Sequence, residues 1–263
     1  MRVGVLRSMP WSLCAAITLA ACNPRLDQPV PGVYRGTLAL PGGEAPFGME
    51  IAKEEQRYVL YLMNGSERTR VSNVEVRNRE LTAVFPGYGN TLRAQMHRQG
   101  LEGSVTLVKA GGEEQVIAFK ATLGDTWRFD EHSLTDNADV AGRWEMTFTA
   151  GDGGQTRAIG SFEQKHDRVT GTVMTPTGDH RFLEGQVRGE DVQLSTFAGG
   201  FAYLYKFRVN AKGDLEGEYW QGLAVHEKVT ARRNDEATLD SAGPQTTMKD
   251  GAKRSDSTSG LAR

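Results

Sequence analysis

Between Gly32 and Arg233 the apolar residues recur in short runs that alternate with polar ones or end at glycine, proline or asparagine. Tyr58-Val59-Leu60-Tyr61-Leu62, Val74-Glu75-Val76, Arg168-Val169-Thr170-Gly171-Thr172-Val173 and Tyr203-Leu204-Tyr205-Lys206-Phe207-Arg208-Val209 are rich in β-branched and aromatic residues, the pattern of half-buried strands. No stretch of ten or more residues between 32 and 233 carries the apolar period of an amphipathic helix. Turn signals separate the runs at Pro41-Gly42-Gly43, Asn64-Gly65, Gly111-Gly112, Gly151-Asp152-Gly153-Gly154, Pro176-Thr177-Gly178-Asp179 and Lys212-Gly213-Asp214. Short strands joined by tight turns predict an all-β fold of antiparallel meanders that close into barrels or stack as sandwiches.

The pattern also repeats. Gly32-Val33-Tyr34 matches Gly142-Arg143-Trp144, Gly42-Gly43 matches Gly153-Gly154, Met63 matches Met174, Val76 matches Val187, and Leu101-Glu102-Gly103 matches Leu215-Glu216-Gly217. A steady offset of roughly 110 residues predicts two related β units, residues 31–124 and 140–234. Residues 125–139 form a connector that starts with Thr126-Trp127-Arg128-Phe129 and then turns polar. Residues 235–263 are dominated by small, polar and charged residues, too few apolar groups to offset ordering, and predict a disordered tail.

The first residues follow a different rule. Arg2 and Arg7 precede an apolar run from Trp11 that ends at Leu19-Ala20-Ala21-Cys22. Charge, short apolar core and small residues make an export signal, residues 1–21, and the core is shorter than the ~20 residues that span a bilayer. A leucine three positions before a cysteine is the lipobox pattern, which predicts cleavage before Cys22 and lipidation of its thiol. Several acyl chains on one residue make a lasting anchor where a single chain holds only marginally. Residues 22–30 contain two prolines, Pro24 and Pro29, with Pro31 just after, and read as a short tether. Asn23, where enteric inner-membrane lipoproteins carry aspartate, favours the outer membrane over the inner, with the domain on the periplasmic face.

Composition narrows the partners. The chain has 263 residues, 38% hydrophobic and 24% charged, enough for a sizeable core, with 31 basic against 33 acidic residues. Loss of the signal removes two arginines and no acids, so the mature chain is mildly acidic and lacks the basic footprint of a nucleic-acid binder. Its other cysteine, Cys14, lies inside the signal, which leaves the mature domain no disulfide, redox pair or thiolate metal site.

Several stretches are familiar. Ala45-Pro46-Phe47-Gly48-Met49, Asn64-Gly65-Ser66-Glu67-Arg68 and Ile117-Ala118-Phe119-Lys120-Ala121 stand in the first unit. Thr175 to Gly185, which includes Thr-Gly-Asp-His-Arg-Phe-Leu-Glu-Gly, Leu194-Ser195-Thr196-Phe197 and Gly217-Glu218-Tyr219-Trp220-Gln221-Gly222 stand in the second. Over residues 32–235 the sequence resembles the N-terminal β region ahead of the thioredoxin-like domain in exported TlpA-like thiol-disulfide oxidoreductases of Gram-negative bacteria. In that family the Cys-x-x-Cys of the following domain supplies the chemistry. Here the residues after 235 contain no cysteine, so the resemblance implies docking, spacing or ligand binding and not redox activity.

The densest polar and aromatic cluster in sequence is Asp179-His180-Arg181 with Trp220, His226 and Glu227, a candidate site for a small polar ligand. The competing reading puts Asp179 and His180 in a turn and Trp220 in packing. The five histidines lack metal-ligand spacing, and neither a Gly-x-Ser-x-Gly elbow nor a phosphate loop is present, so no metal, cofactor or catalytic residue is expected. The alternation of Phe201-Ala202-Tyr203-Leu204-Tyr205 would line a barrel interior, either filled by its own side chains or open to an apolar ligand. The expected function is a membrane-anchored, non-enzymatic binding or interaction module with a periplasmic protein or small ligand as partner. The alternatives are an accessory to a separate thioredoxin-like oxidoreductase and a hydrolase using His180 and His226.

Overall fold

The structure, a computed structural model, describes residues 25–239 except 110, 133 and 135. Cys22, the signal and the tail beyond 239 lie outside the described residues. The described chain is all β, with two antiparallel sheets.

The first sheet contains β1 (Gly32–Leu40), β2 (Gly43–Glu54), β3 (Arg57–Asn64), β4 (Glu67–Val71), β5 (Asn73–Arg77), β6 (Glu80–Val84), β7 (Thr91–His97), β8 (Gly100–Val108) and β9 (Glu114–Leu123). Their order is β4-β3-β2-β1-β9-β8-β7-β6-β5, a nearly closed barrel whose two ends are β4 and β5. Only Ser72 separates those strands, so they behave as one strand broken in the middle, its first half paired to β3 and its second to β6.

The second sheet is a closed eight-stranded barrel. It comprises β10 (Gly142–Thr149), β11 (Gln155–Lys165), β12 (Arg168–Thr175), β13 (Gly178–Arg188), β14 (Asp191–Phe197), β15 (Ala202–Val209), β16 (Leu215–Gln221) and β17 (Val225–Arg233). Each strand pairs with its sequence neighbours, and β10 closes on β17. Alternation places Trp144, Met146, Phe148, Tyr205, Phe207, Leu215 and Val229 in the interior core.

The two barrels match strand for strand, with β13 standing where the broken β4 and β5 stand in the first. The motifs that mark the repeat do the same work in each. Tyr34 donates its hydroxyl to the carbonyl of Val30, and Trp144 donates its indole N–H to the carbonyl of Val140 at 3.0 Å, so each aromatic ties down the chain four residues upstream. Gly103 and Gly217 lie flat against the neighbouring strand, where an added Cβ would strike the carbonyls of Arg93 and Lys206. No larger residue fits there.

Two boundaries differ from the sequence reading. The tether expected over 22–30 is already part of the fold from Arg25: Arg25 bridges to His97, the Leu26 amide donates to the Met96 carbonyl at 2.8 Å, and Leu26 packs on the first core. An apolar Leu26 beside an open strand edge outweighs the flanking prolines. At the other end, the tail begins packed: Ala237 is buried, and its carbonyl accepts from Arg143 Nε at 2.6 Å.

The barrels meet at right places for a stopper. The first core includes Phe197, Ala202, Leu204 and Trp220 from the outer face of the second barrel. Phe197 lies edge-on to Phe47 and Phe85, with ring centroids 5.1 and 5.3 Å away. Trp220 covers Gly42, whose missing Cβ makes the room. Asn64 and Asn90, both buried, hold the loop between β14 and β15: Asn64 Nδ2 donates to the Phe197 carbonyl at 2.8 Å, and Asn90 Nδ2 to the Gly199 carbonyl at 2.8 Å. The connector closes the joint. Arg128 donates to Asn64 Oδ1 at 2.7 Å and to the Ser195 carbonyl at 3.0 Å, and pairs with Glu184 at 3.5 Å.

Candidate functional site

The sequence-predicted set is divided by the wall of the second barrel. Trp220 and His226 are register partners on the outside, stacked at 5.0 Å, and His226 Nε2 lies 3.0 Å from Glu218 Oε1. Tyr219 and Glu227, one residue along in each strand, pair on the inside. Asp179 and Arg181 are exposed and line a shallow outer groove of about 570 Å³ with Glu163, Arg168 and Phe182. His180 faces inward. The six residues therefore do not form one pocket, and His180 and His226 do not share one.

His180 reaches the interior because β13 carries an extra residue. Gly171 pairs with Leu183 and Val173 with His180, so Arg181 and Phe182 together stand opposite Thr172. This bulge resets the alternation, putting both His180 and Leu183 on the inner face. The His180 ring stacks on Tyr203 at 4.2 Å and on Tyr219 at 5.3 Å, and its Nδ1 hydrogen-bonds the Tyr205 hydroxyl. Burial lowers its pKa to about 4 against the pull of Asp179, so the ring is neutral at pH 7. The same burial raises Tyr203 to about 12 and Tyr205 well above its ordinary value. Glu227 is raised by burial and by Asp152. Thr196, paired with Tyr203, is buried, and among the described residues its hydroxyl has no hydrogen-bond partner.

This stack continues to the surface. Phe201 lies over Tyr203 at 6.0 Å and meets Tyr88 of the first barrel at 6.0 Å, and both Phe201 and Tyr88 are about half exposed, at 50% and 51%. Beside them, at the lip of the second barrel, lies a pocket of about 260 Å³. From the first barrel it is lined by Leu107, Val108, Lys109 and Gln115, and from the second by residues that include Phe201, Gln221 and Val225. Among the described residues seven large hydrophobic side chains are exposed; Val108 and Phe201 line this pocket, Tyr88 meets Phe201, and Leu223 stands between the lining residues Gly222 and Ala224 with its N–H on Gln115. Scattered exposure is ordinary on a protein surface, whereas clustering at a concave seam marks a binding surface.

Sequence reading missed this seam because it is built from two loops and a hairpin distant along the chain. One signal was present: Phe197-Ala198-Gly199-Gly200-Phe201 sets aromatics on both sides of a turn, where polar residues are usual. Arg128 was legible only as part of an aromatic connector. In the fold it is a buried cation. Burial lowers its pKa to about 10, partly offset by Glu184, so it stays charged. Glu184, though burial pushes it up, is held below the usual carboxylate range by Arg128, the Gly65 amide and Arg168.

Fold and seam define a class: an all-β protein of two meander barrels, the second closed, joined through a shared core. No family model and no curated protein matches the chain. Among solved structures it is similar to a DUF3598-family protein of unknown function from Nostoc punctiforme, at 12% identity over 78% of this chain and 96% of that one. The TM-score is 0.27.

Proposed function

We propose that this protein is a lipoprotein acylated on Cys22 and held on the periplasmic face of a bacterial membrane, the outer in preference to the inner. Its two barrels serve as a non-enzymatic binding module whose ligand enters at the seam between them. One observation carries the binding reading: the four exposed apolar side chains gathered around a concave, mostly apolar pocket lined by both barrels. A hydrolytic role for His180 and His226 finds no support in an arrangement that sets them on opposite faces of the barrel wall, with His180 stacked against two tyrosines.

Nile red, an uncharged dye that brightens in apolar surroundings, tests the binding half. Saturable brightening with the native chain that is lost in a Phe201→Asp, Leu223→Asp variant is expected; equal brightening with both chains sinks the reading. Fractionation of cells carrying Cys22→Ser tests the anchor. Release from the membrane fraction is expected, and continued membrane association overturns lipidation.

A further inference from the structure

The polar groups in the seam pocket specify what the ligand carries. Gln115 Oε1 accepts from the Leu223 backbone N–H at 2.9 Å, and Gln221 Oε1 accepts from the Tyr219 hydroxyl at 2.9 Å. The Leu223 N–H can only donate and so fixes the direction of the Gln115 amide, and with Gln221 accepting from the Tyr219 hydroxyl its nitrogen points the opposite way. Both Nε2 groups are thereby left as donors, and neither has a hydrogen-bond partner among the described residues. Both side chains line the same pocket. A ligand that only filled the apolar space would leave these donors unmatched as it displaced water, at a cost to affinity.

Charge decides what kind of acceptor answers them. Lys109, the only charged side chain of the lining, is held by Glu113 at 3.0 Å. Glu114 stands beside it in the same hairpin, and Glu227 and Asp152 lie at the same end of the second barrel. An anionic ligand would meet this acidic surround, while a cationic one would find no carboxylate in the lining. At about 260 Å³ the pocket holds one compact apolar group with its head.

Building on the seam as a binding site, we infer that its ligand is an uncharged carbonyl compound, an ester or amide of a compact apolar acid, whose carbonyl oxygen accepts from Gln115 and Gln221. The apolar body lies against Leu107, Val108, Phe201 and Val225, and the carbonyl faces the two amides.

The test titrates the full-length protein with three probes that share one body: methyl 3-phenylpropionate, the 3-phenylpropionate anion and propylbenzene. Methyl-group NMR shifts of Leu107, Val108 and Val225 locate the binding. The ester is expected to bind about tenfold more tightly than either comparator, the scale of one or two well-made hydrogen bonds. Gln115→Glu and Gln221→Glu keep the oxygens that accept from Leu223 and Tyr219 while removing the donors. Each is expected to bring ester affinity down to that of propylbenzene and to leave propylbenzene unchanged. Equal binding of ester and propylbenzene, tightest binding of the anion, or indifference to both substitutions overturns the carbonyl assignment while the seam remains a site. If none of the three probes moves the pocket methyls, the seam reading falls with it.

Discussion

In the first barrel the strand after β3 breaks at Ser72, and the sheet parts between β4 and β5; in the second the corresponding strand, β13, runs through with one extra residue at Arg181 and Phe182. Both devices relieve a strand that must bend sharply to close a small barrel. A break gives up closure. A bulge keeps it and moves a side chain to the other face, and here that side chain is His180. The interiors differ accordingly. The first barrel is stoppered at one end by a neighbour's Phe197 and Trp220, whereas the second fills its lip with its own His180, Tyr203, Tyr205 and Tyr219. The first acts as a support, and the second presents the aromatic lip.

The strongest way to break this pairing is at Arg128. Replacement by leucine takes from Glu184 one of its three partners and from Asn64 and the Ser195 carbonyl their guanidinium donor, and is expected to cost about 3 kcal/mol. Denaturant unfolding followed by tryptophan fluorescence should then split into two transitions, and one unchanged transition would show that the barrels do not depend on this contact. The equivalence of Tyr34 and Trp144 can be graded next. Trp144→Ala empties a fully buried site and should cost about 3–5 kcal/mol, while Tyr34→Phe removes one hydrogen bond, about 1 kcal/mol. A negligible cost for Tyr34→Phe in the same unfolding assay would mean that the anchoring of the incoming chain is not shared.

The pH response should belong to the second barrel. Because His180 is lowered to about 4, the unfolded chain takes up a proton near pH 6.5 that the folded one refuses. Stability is therefore full above pH 6.5 and falls between pH 6.5 and 4, by up to about 3 kcal/mol. Glu227, raised by burial, works in the opposite sense, so the clean readout is the difference between the native chain and His180→Phe, whose profile should be flatter. Identical slopes would remove His180 as the cause. The smallest effect is in hydrogen exchange: amides on the free edges of β4 and β5 should exchange faster than those of β13, which is paired on both sides. Equal protection would mean that the first barrel is closed in solution.

Alternation and turns made the fold readable, and Gly-x-aromatic with Leu-Glu-Gly made the repeat readable, because each of those residues meets a local demand that recurs in both barrels. The candidate site was less readable. Trp220 and His226 do touch, as their nearness to a shared turn suggests, yet Glu227 beside His226 must point the other way, because successive residues of a strand face opposite sides. His180 escaped that rule through a bulge that its own sequence does not announce. Arg128, Asn64 and Asn90 act on residues more than a strand away, and nothing local marks such partners.

The bridge between Arg25 and His97 has a consequence for geography. His97 ends β7 at the end of the first barrel away from the seam, since Asn90, just before the other end of β7, holds the loop of the second barrel. On the proposed acylation of Cys22, three residues to Arg25 span at most about 11 Å, which would put the bilayer close under that far end. The first barrel would then serve as a pedestal of fixed height. On that anchoring the seam would face the aqueous compartment, and a molecule dissolved in the membrane would have to leave it before it reached the seam.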